Sequence, residues 1–227
     1  MLSKKIQGEY TITVMGIPRV LFDAKRYLQE NILVCSKSSI DGRVNSCIDE
    51  ELVLEKLSEK FGNTIKIPKI RMWYDVLIRD DLHGWIPVNI KTTTMKTSDN
   101  IGNLALCVYS YTNNEMHLYK RYRNGEMSRV LFEKLKTKEY NTDHLRDYYF
   151  LVINKNNTED IIINSMKGLR RITPNSNNLP FQVCWDKNRE YEHKNIHETI
   201  KKFTACIRNT KPSWKEKFIS NMKKTLL

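Results

Sequence analysis

Apolar and polar positions along this chain recur with two periods, and each change of period marks an element. Residues 10–14 (YTITV) alternate as a strand does, whereas 21–33 (LFDAKRYLQENIL) repeat apolar side chains at helical spacing. The polar, glycine-containing tract 36–45 reads as a loop. Ser46 ahead of Asp49 predicts a helix start and Gly62 a C-cap, bounding a helix of about 15 residues. Residues 71–79 (RMWYDVLIR) and 85–92 (WIPVNIKT) predict two strands, joined into a hairpin by the turn-rich DDLHG. Residues 104–111 (LALCVYSY) predict a further strand and 129–136 a short helix. The run 147–154 (DYYFLVIN) is nearly all apolar, which suits the middle of a sheet. Residues 160–166 read as a strand or short helix, 170–190 as irregular around Leu179-Pro180-Phe181, and 195–222 as a basic helix interrupted by Pro212.

Strands and helices thus interleave without internal repeat or low-complexity linker, which predicts an α/β fold with a central mixed sheet flanked by helices. At 227 residues and 40% apolar content the chain can bury a substantial core as a single domain. No apolar run approaches the roughly 20 residues of a spanning helix, and the N-terminus lacks a sustained apolar segment of the signal-peptide kind. The expectation is a cytoplasmic protein with no membrane partner. Five scattered cysteines without a C-x-x-C pair read as free thiols. The histidines show no HxH or HExxH spacing.

Charge sharpens this picture. The formal net charge is +12 and the excess is spread along the chain, which favours a polyanionic partner such as nucleic acid. Lys and Asn richness is also what an AT-rich genome would impose on any protein.

The candidate chemistry lies in the hairpin. On a strand, Ile86, Val88 and Ile90 face one way while Asn89 and Lys91 face the other. Asp75, in the neighbouring strand, can converge on them. In the preceding helix Glu50 falls inside the apolar stripe of Cys47, Leu54, Leu57 and Phe61, where a carboxylate requires a partner. Glu51 lies at the edge of that stripe and is the second choice. Two carboxylates, an amide oxygen and an ammonium suit Mg²⁺-assisted phosphodiester hydrolysis, with Asp75, Asn89 and Glu50 as ligands and Lys91 as the charged catalyst. No small-molecule cofactor is expected.

The segments EKFG at 59–62, IPKI at 67–70, YDVLI around Asp75 and VNIKTT at 88–93 resemble the PD-(D/E)xK nucleases, and most closely type II restriction endonucleases of the EcoRV type. The resemblance covers about 50 to 60 residues. It implies a restriction-endonuclease-like core, with the catalytic part at about 46–155 and DNA recognition plus a basic C-terminal part at about 156–227. It also implies Mg²⁺-dependent cleavage of double-stranded DNA by a homodimer. Tyr74 stands where the family usually has Pro, and Asn89 where it has Asp or Glu, which removes one negative charge from the site.

A site-specific nuclease must also read bases. Arg and Lys pair well with guanine, Asn and Gln with adenine. The stretch LRRITPNSNNLPFQ offers Arg170, Arg171, Asn175, Asn177, Asn178 and Gln182 in an expected loop, while YKRYRNGEMSR offers Lys120, Arg121 and Arg123 for phosphates. Two other functions share these features: a non-specific or structure-specific repair or recombination nuclease, and a DNA-binding protein that has lost cleavage through Asn89.

Overall fold

The computed structural model describes residues 16–31, 42–175, 180–211 and 216, with the backbone alone over 42–48. The strand expected at 10–14, the end of the first expected helix, residues 36–41 of the expected loop, the interruption expected at Pro212 and everything expected beyond 216 lie outside these residues. Helix α1 (Arg19–Glu30) forms because Leu21, Ala24 and Leu28 recur on one face, and all three are buried. Helix α2 (Gly42–Phe61) begins ahead of Ser46, so the end of the expected loop is helical. Once Val53 and Leu57 dock, each residue added at the N-terminal end closes a further hydrogen bond at little cost. Gly62, with φ at 49°, ends the helix as expected.

Strands β1 (Ile65–Lys66), β2 (Val76–Asp80) and β3 (Gly84–Thr93) follow, then β4 (Ser98–Ile101), α3 (Leu104–Tyr111) and α4 (Asn124–Lys136). The chain continues through β5 (Tyr149–Asn154), β6 (Asn157–Ser165), β7 (Phe181–Cys184) and α5 (Ile196–Arg208). One sheet has five strands in the order β1-β2-β3-β5-β6, and a two-stranded ribbon pairs β4 with β7. The larger sheet is mixed: β3 and β5 run parallel, and the other pairs antiparallel. Val76, Ile78, Val88, Ile90, Leu151 and their neighbours pack one face against α1 and α2, while Leu77, Phe150 and Val152 belong to a second core with α3, α4, α5 and the ribbon. The architecture is α/β with helices on the sheet. Among the described residues no helix is long and apolar enough to cross a membrane.

Several elements differ from expectation for identifiable reasons. Residues 104–111 form a helix, not a strand. Six of its eight residues are buried, so no polar period was left to read, and short apolar runs are ambiguous between the two states. The decisive signal was Asn103, whose Oδ1 accepts from the Ala105 N–H at 2.9 Å as an N-cap. Residues 71–75 are not part of β2. Trp73 stacks on Tyr148 with centroids 5.9 Å apart, and the Tyr74 hydroxyl donates to the Leu118 carbonyl at 2.6 Å, which draws the segment off the sheet. Helix α4 starts at Asn124, residues 160–166 lie within the strand β6, and the irregular 170–190 stretch contains β7 and a short 3-10 turn at Trp185–Lys187. Helix α5 opens with a full capping box between Asn195 and Glu198.

The turn between β3 and β4 holds Met95 in the left-handed region, φ 67°, with its side chain buried. Its carbonyl accepts the Asp186 N–H at 3.1 Å. That bond ties the turn to the residues just after β7.

Candidate active site

Strand β3 is longer than its antiparallel neighbour. The last paired residues are Val76 and Val88, after which the Asp75 N–H donates to the Val88 carbonyl at 3.1 Å and the chain departs. From Asn89 to Thr93 the strand is paired only with β5, so one edge has backbone N–H groups in need of acceptors. Two carboxylates supply them. Asp75 Oδ2 accepts the Ile90 N–H at 2.8 Å, and Glu50 accepts the Thr92 N–H. Amides two residues apart face the same strand edge, so the length of β3 sets the two acids side by side.

Asn89 and Lys91 project from the same face of β3, as the alternation requires. Asn89 Nδ2 donates to Asp75 Oδ2 at 2.6 Å, while Asn89 Oδ1 is buried without a hydrogen-bond partner. Lys91 Nζ lies 3.9 Å from Glu50 Oε1. All four side chains line one cleft of about 930 Å³.

The electrostatics are those of acids held out of water. Burial pushes the Glu50 carboxyl above its ordinary range, and the Asp75 charge pushes it further; Lys91, the Thr92 N–H and Lys155 pull it back. Burial likewise raises Asp75 against the pull of Lys91, the Ile90 N–H and Arg71. Two half-buried carboxylates therefore share Lys91 as their nearest cation, with Lys155 and Arg71 contributing less, an arrangement that a bound cation relieves.

Two acids near the site were not anticipated. Asp49, 2% exposed, pairs with Lys155 at 3.4 Å, fastening α2 to the turn after β5. Asp99 on β4 accepts from Trp185 Nε1 at 2.7 Å and from Thr93 Oγ1 at 3.4 Å; burial raises it, and Lys91 and Lys155 both act on it. Asp49 lies outside the stripe of Cys47, Leu54, Leu57 and Phe61 but one turn before Val53, whose burial widens the apolar face of α2 toward it, and that was the signal the sequence offered. Asp99 offered none, because its partners are 6 and 86 residues away. Glu51, the second choice in α2, is exposed but lines the same cleft.

The expected recognition residues are scattered. Arg121 lines the cleft, as does Arg71. Lys120 sits over the Tyr122 ring, 5.2 Å from its centroid, and Arg123 is exposed at the start of α4. Arg170 faces Glu190 and Glu192 at 3.8 and 3.9 Å, and Arg171 is exposed. Asn175 is buried, its amide donating to Asn100 Oδ1, and Gln182 belongs to β7 instead of a loop. Asn177 and Asn178 lie outside the described residues.

The sequence matches no protein-family model, and no curated protein matches it as a relative.

Proposed function

We propose that this chain is a Mg²⁺-dependent endonuclease that cuts double-stranded DNA at a specific sequence, the nuclease of a restriction system on a restriction-endonuclease-like core. The observation carrying this reading is the convergence of Glu50, Asp75, Asn89 and Lys91 on one cleft, with both acids anchored to the open edge of β3. Asp75, Glu50 and the Asn89 amide oxygen would hold Mg²⁺. The donor set fits that ion: all three are hard oxygens, and Asn89 Oδ1 is otherwise buried without a partner. When bound, Mg²⁺ supplies Lewis-acid polarisation of the phosphate and a water of lowered pKa. The remaining work belongs to the protein. Lys91 orients the attacking water and stabilises charge developing on phosphorus, while Arg71 and Arg121 on the cleft walls hold flanking phosphates. The net charge of +12 draws the duplex in.

A second reading has one observation in its favour. The Asn89 NH₂ already occupies Asp75 Oδ2, where a cation would bind, which suits a protein that holds DNA without cutting it. One experiment separates the two. Purified protein is incubated with DNA of known sequence and Mg²⁺, and the ends are sequenced. The nuclease reading expects ends at a single short motif; intact DNA supports the binding protein, and scattered ends support a repair nuclease. Lys91→Ala is expected to lower cleavage by roughly a hundred- to a thousandfold while DNA binding persists. Full cleavage by that variant would remove Lys91 from the site.

A further inference from the structure

The ribbon of β4 and β7 has two unlike faces. Asp99 and Ile101 on one strand stand opposite Val183 and Phe181 on the other; Ile101, Val183 and Phe181 are buried, and Asp99 is bonded to Trp185. The intervening pairs, Ser98 with Cys184 and Asn100 with Gln182, therefore share the opposite face, because directly paired residues in an antiparallel ladder project to the same side. Ser98 and Asn100 are exposed, and Gln182 is half-buried. The outer face thus sets two carboxamides side by side on neighbouring strands.

Asn100 is also braced. Its Oδ1 accepts from the amide of Asn175, whose own side chain is buried, so the carboxamide is held in one orientation before any ligand arrives. A carboxamide oxygen has two lone pairs, and one remains for a ligand beside the NH₂ donors. Asn100 lines the same cleft as Lys91. The ribbon, which is joined along its β7 edge by a bridge between Thr173 and Gln182, is narrow enough for the DNA major groove, about 12 Å wide, and a carboxamide matches the N6 donor and N7 acceptor of adenine.

We infer that the β4–β7 ribbon enters the major groove next to the scissile phosphate, where Asn100 selects an adenine and Gln182 lies beside it as a second amide. The inference rests on the nuclease reading and deepens it. It also reassigns a role: Asn175, expected from its residue type to touch a base, instead fixes the side chain that does.

The test compares parent, Asn100→Ala and Asn100→Asp on a library of duplexes randomised around the cut motif, with the ends sequenced. The parent is expected to require an A·T pair at one position. Asn100→Ala should lose that preference and cut the parental motif roughly ten- to a hundredfold more slowly, the cost of one bidentate base contact. Asn100→Asp retains an acceptor for Asn175, so it preserves the brace, and should reject adenine at the same position. Replacing that adenine by 7-deazaadenine, which lacks N7, should slow the parent and leave Asn100→Ala unaffected. An unchanged motif preference in both variants, with melting temperatures close to the parent's, would overturn the assignment of the ribbon while leaving the nuclease in place. DNA left intact by the parent in Mg²⁺ would overturn both.

Discussion

Asn89 places a neutral amide where an acid would sit 2.6 Å from Asp75 Oδ2. Asn89→Asp would exchange that hydrogen bond for the contact of two carboxylates, which is costly until a cation lies between them. Its melting temperature in EDTA should therefore fall, by an amount equivalent to about 1–3 kcal/mol, and Mg²⁺ should raise it by more than it raises the parent's. Equal Mg²⁺-induced shifts in the two proteins would mean that residue 89 is not a ligand. Asp80, at the other end of β2, behaves in the opposite sense to the site acids. Burial pushes its carboxyl up, but the His83 ring and the backbone N–H groups of His83, Val20 and Leu82 outweigh this and hold it below the ordinary value of 3.8. A carboxylate with a depressed folded pKa adds stability above its unfolded pKa and loses it as pH falls through the folded one. Asp80→Asn should accordingly be less stable than the parent at neutral pH by about 1–3 kcal/mol, with the gap closing below pH 3.8, as followed by denaturant melts across pH.

At the scale of elements, the site is readable in the sequence wherever one strand or one helix determines it. The two-residue period of β3 sets Asn89 and Lys91 on one face, and the stripe of α2 turns Glu50 inward, so these three were identifiable from spacing, whereas Asp75 was expected inside a strand that begins one residue after it. What spacing could not convey was the length difference between β2 and β3. That difference makes an open edge, and the edge explains why acids collect there. Helix α3 was illegible because burial on nearly all sides erased its polar face, leaving Asn103 as its only marker. The fastening of α2 by Asp49 and Lys155 was hidden too, since the partners come from distant elements. Its worth can be measured. Breaking a buried ion pair by removing one charge costs about 3–5 kcal/mol, so Lys155→Met should destabilise strongly, while Asp49→Asn in the same chain should recover part of the loss. A double-mutant cycle from urea melts gives the coupling; strict additivity would show that the two charges do not act on each other.

At the scale of the molecule, the proposed nuclease would serve one strand of a duplex with each cleft, and cutting both strands in register would call for a two-fold arrangement of two copies. The chain should therefore be a homodimer, at least on DNA. Light scattering coupled to size-exclusion chromatography checks this, and a monomer both with and without DNA would count against it.

The turn around Met95 joins the strand that carries Lys91 to the strand that carries Asn100 through only four residues, and the bond from Asp186 to the Met95 carbonyl holds it closed. On the reading advanced above, the group that chooses the target and the group that cuts it are rigidly geared together. A descendant of this protein could not acquire a new target by exchanging or lengthening a loop, because any change in the pitch of the ribbon would displace Lys91 as well. New preferences would have to arise by replacing single side chains on an unaltered backbone, so related enzymes should diverge at positions 100 and 182 while keeping the spacing between strands.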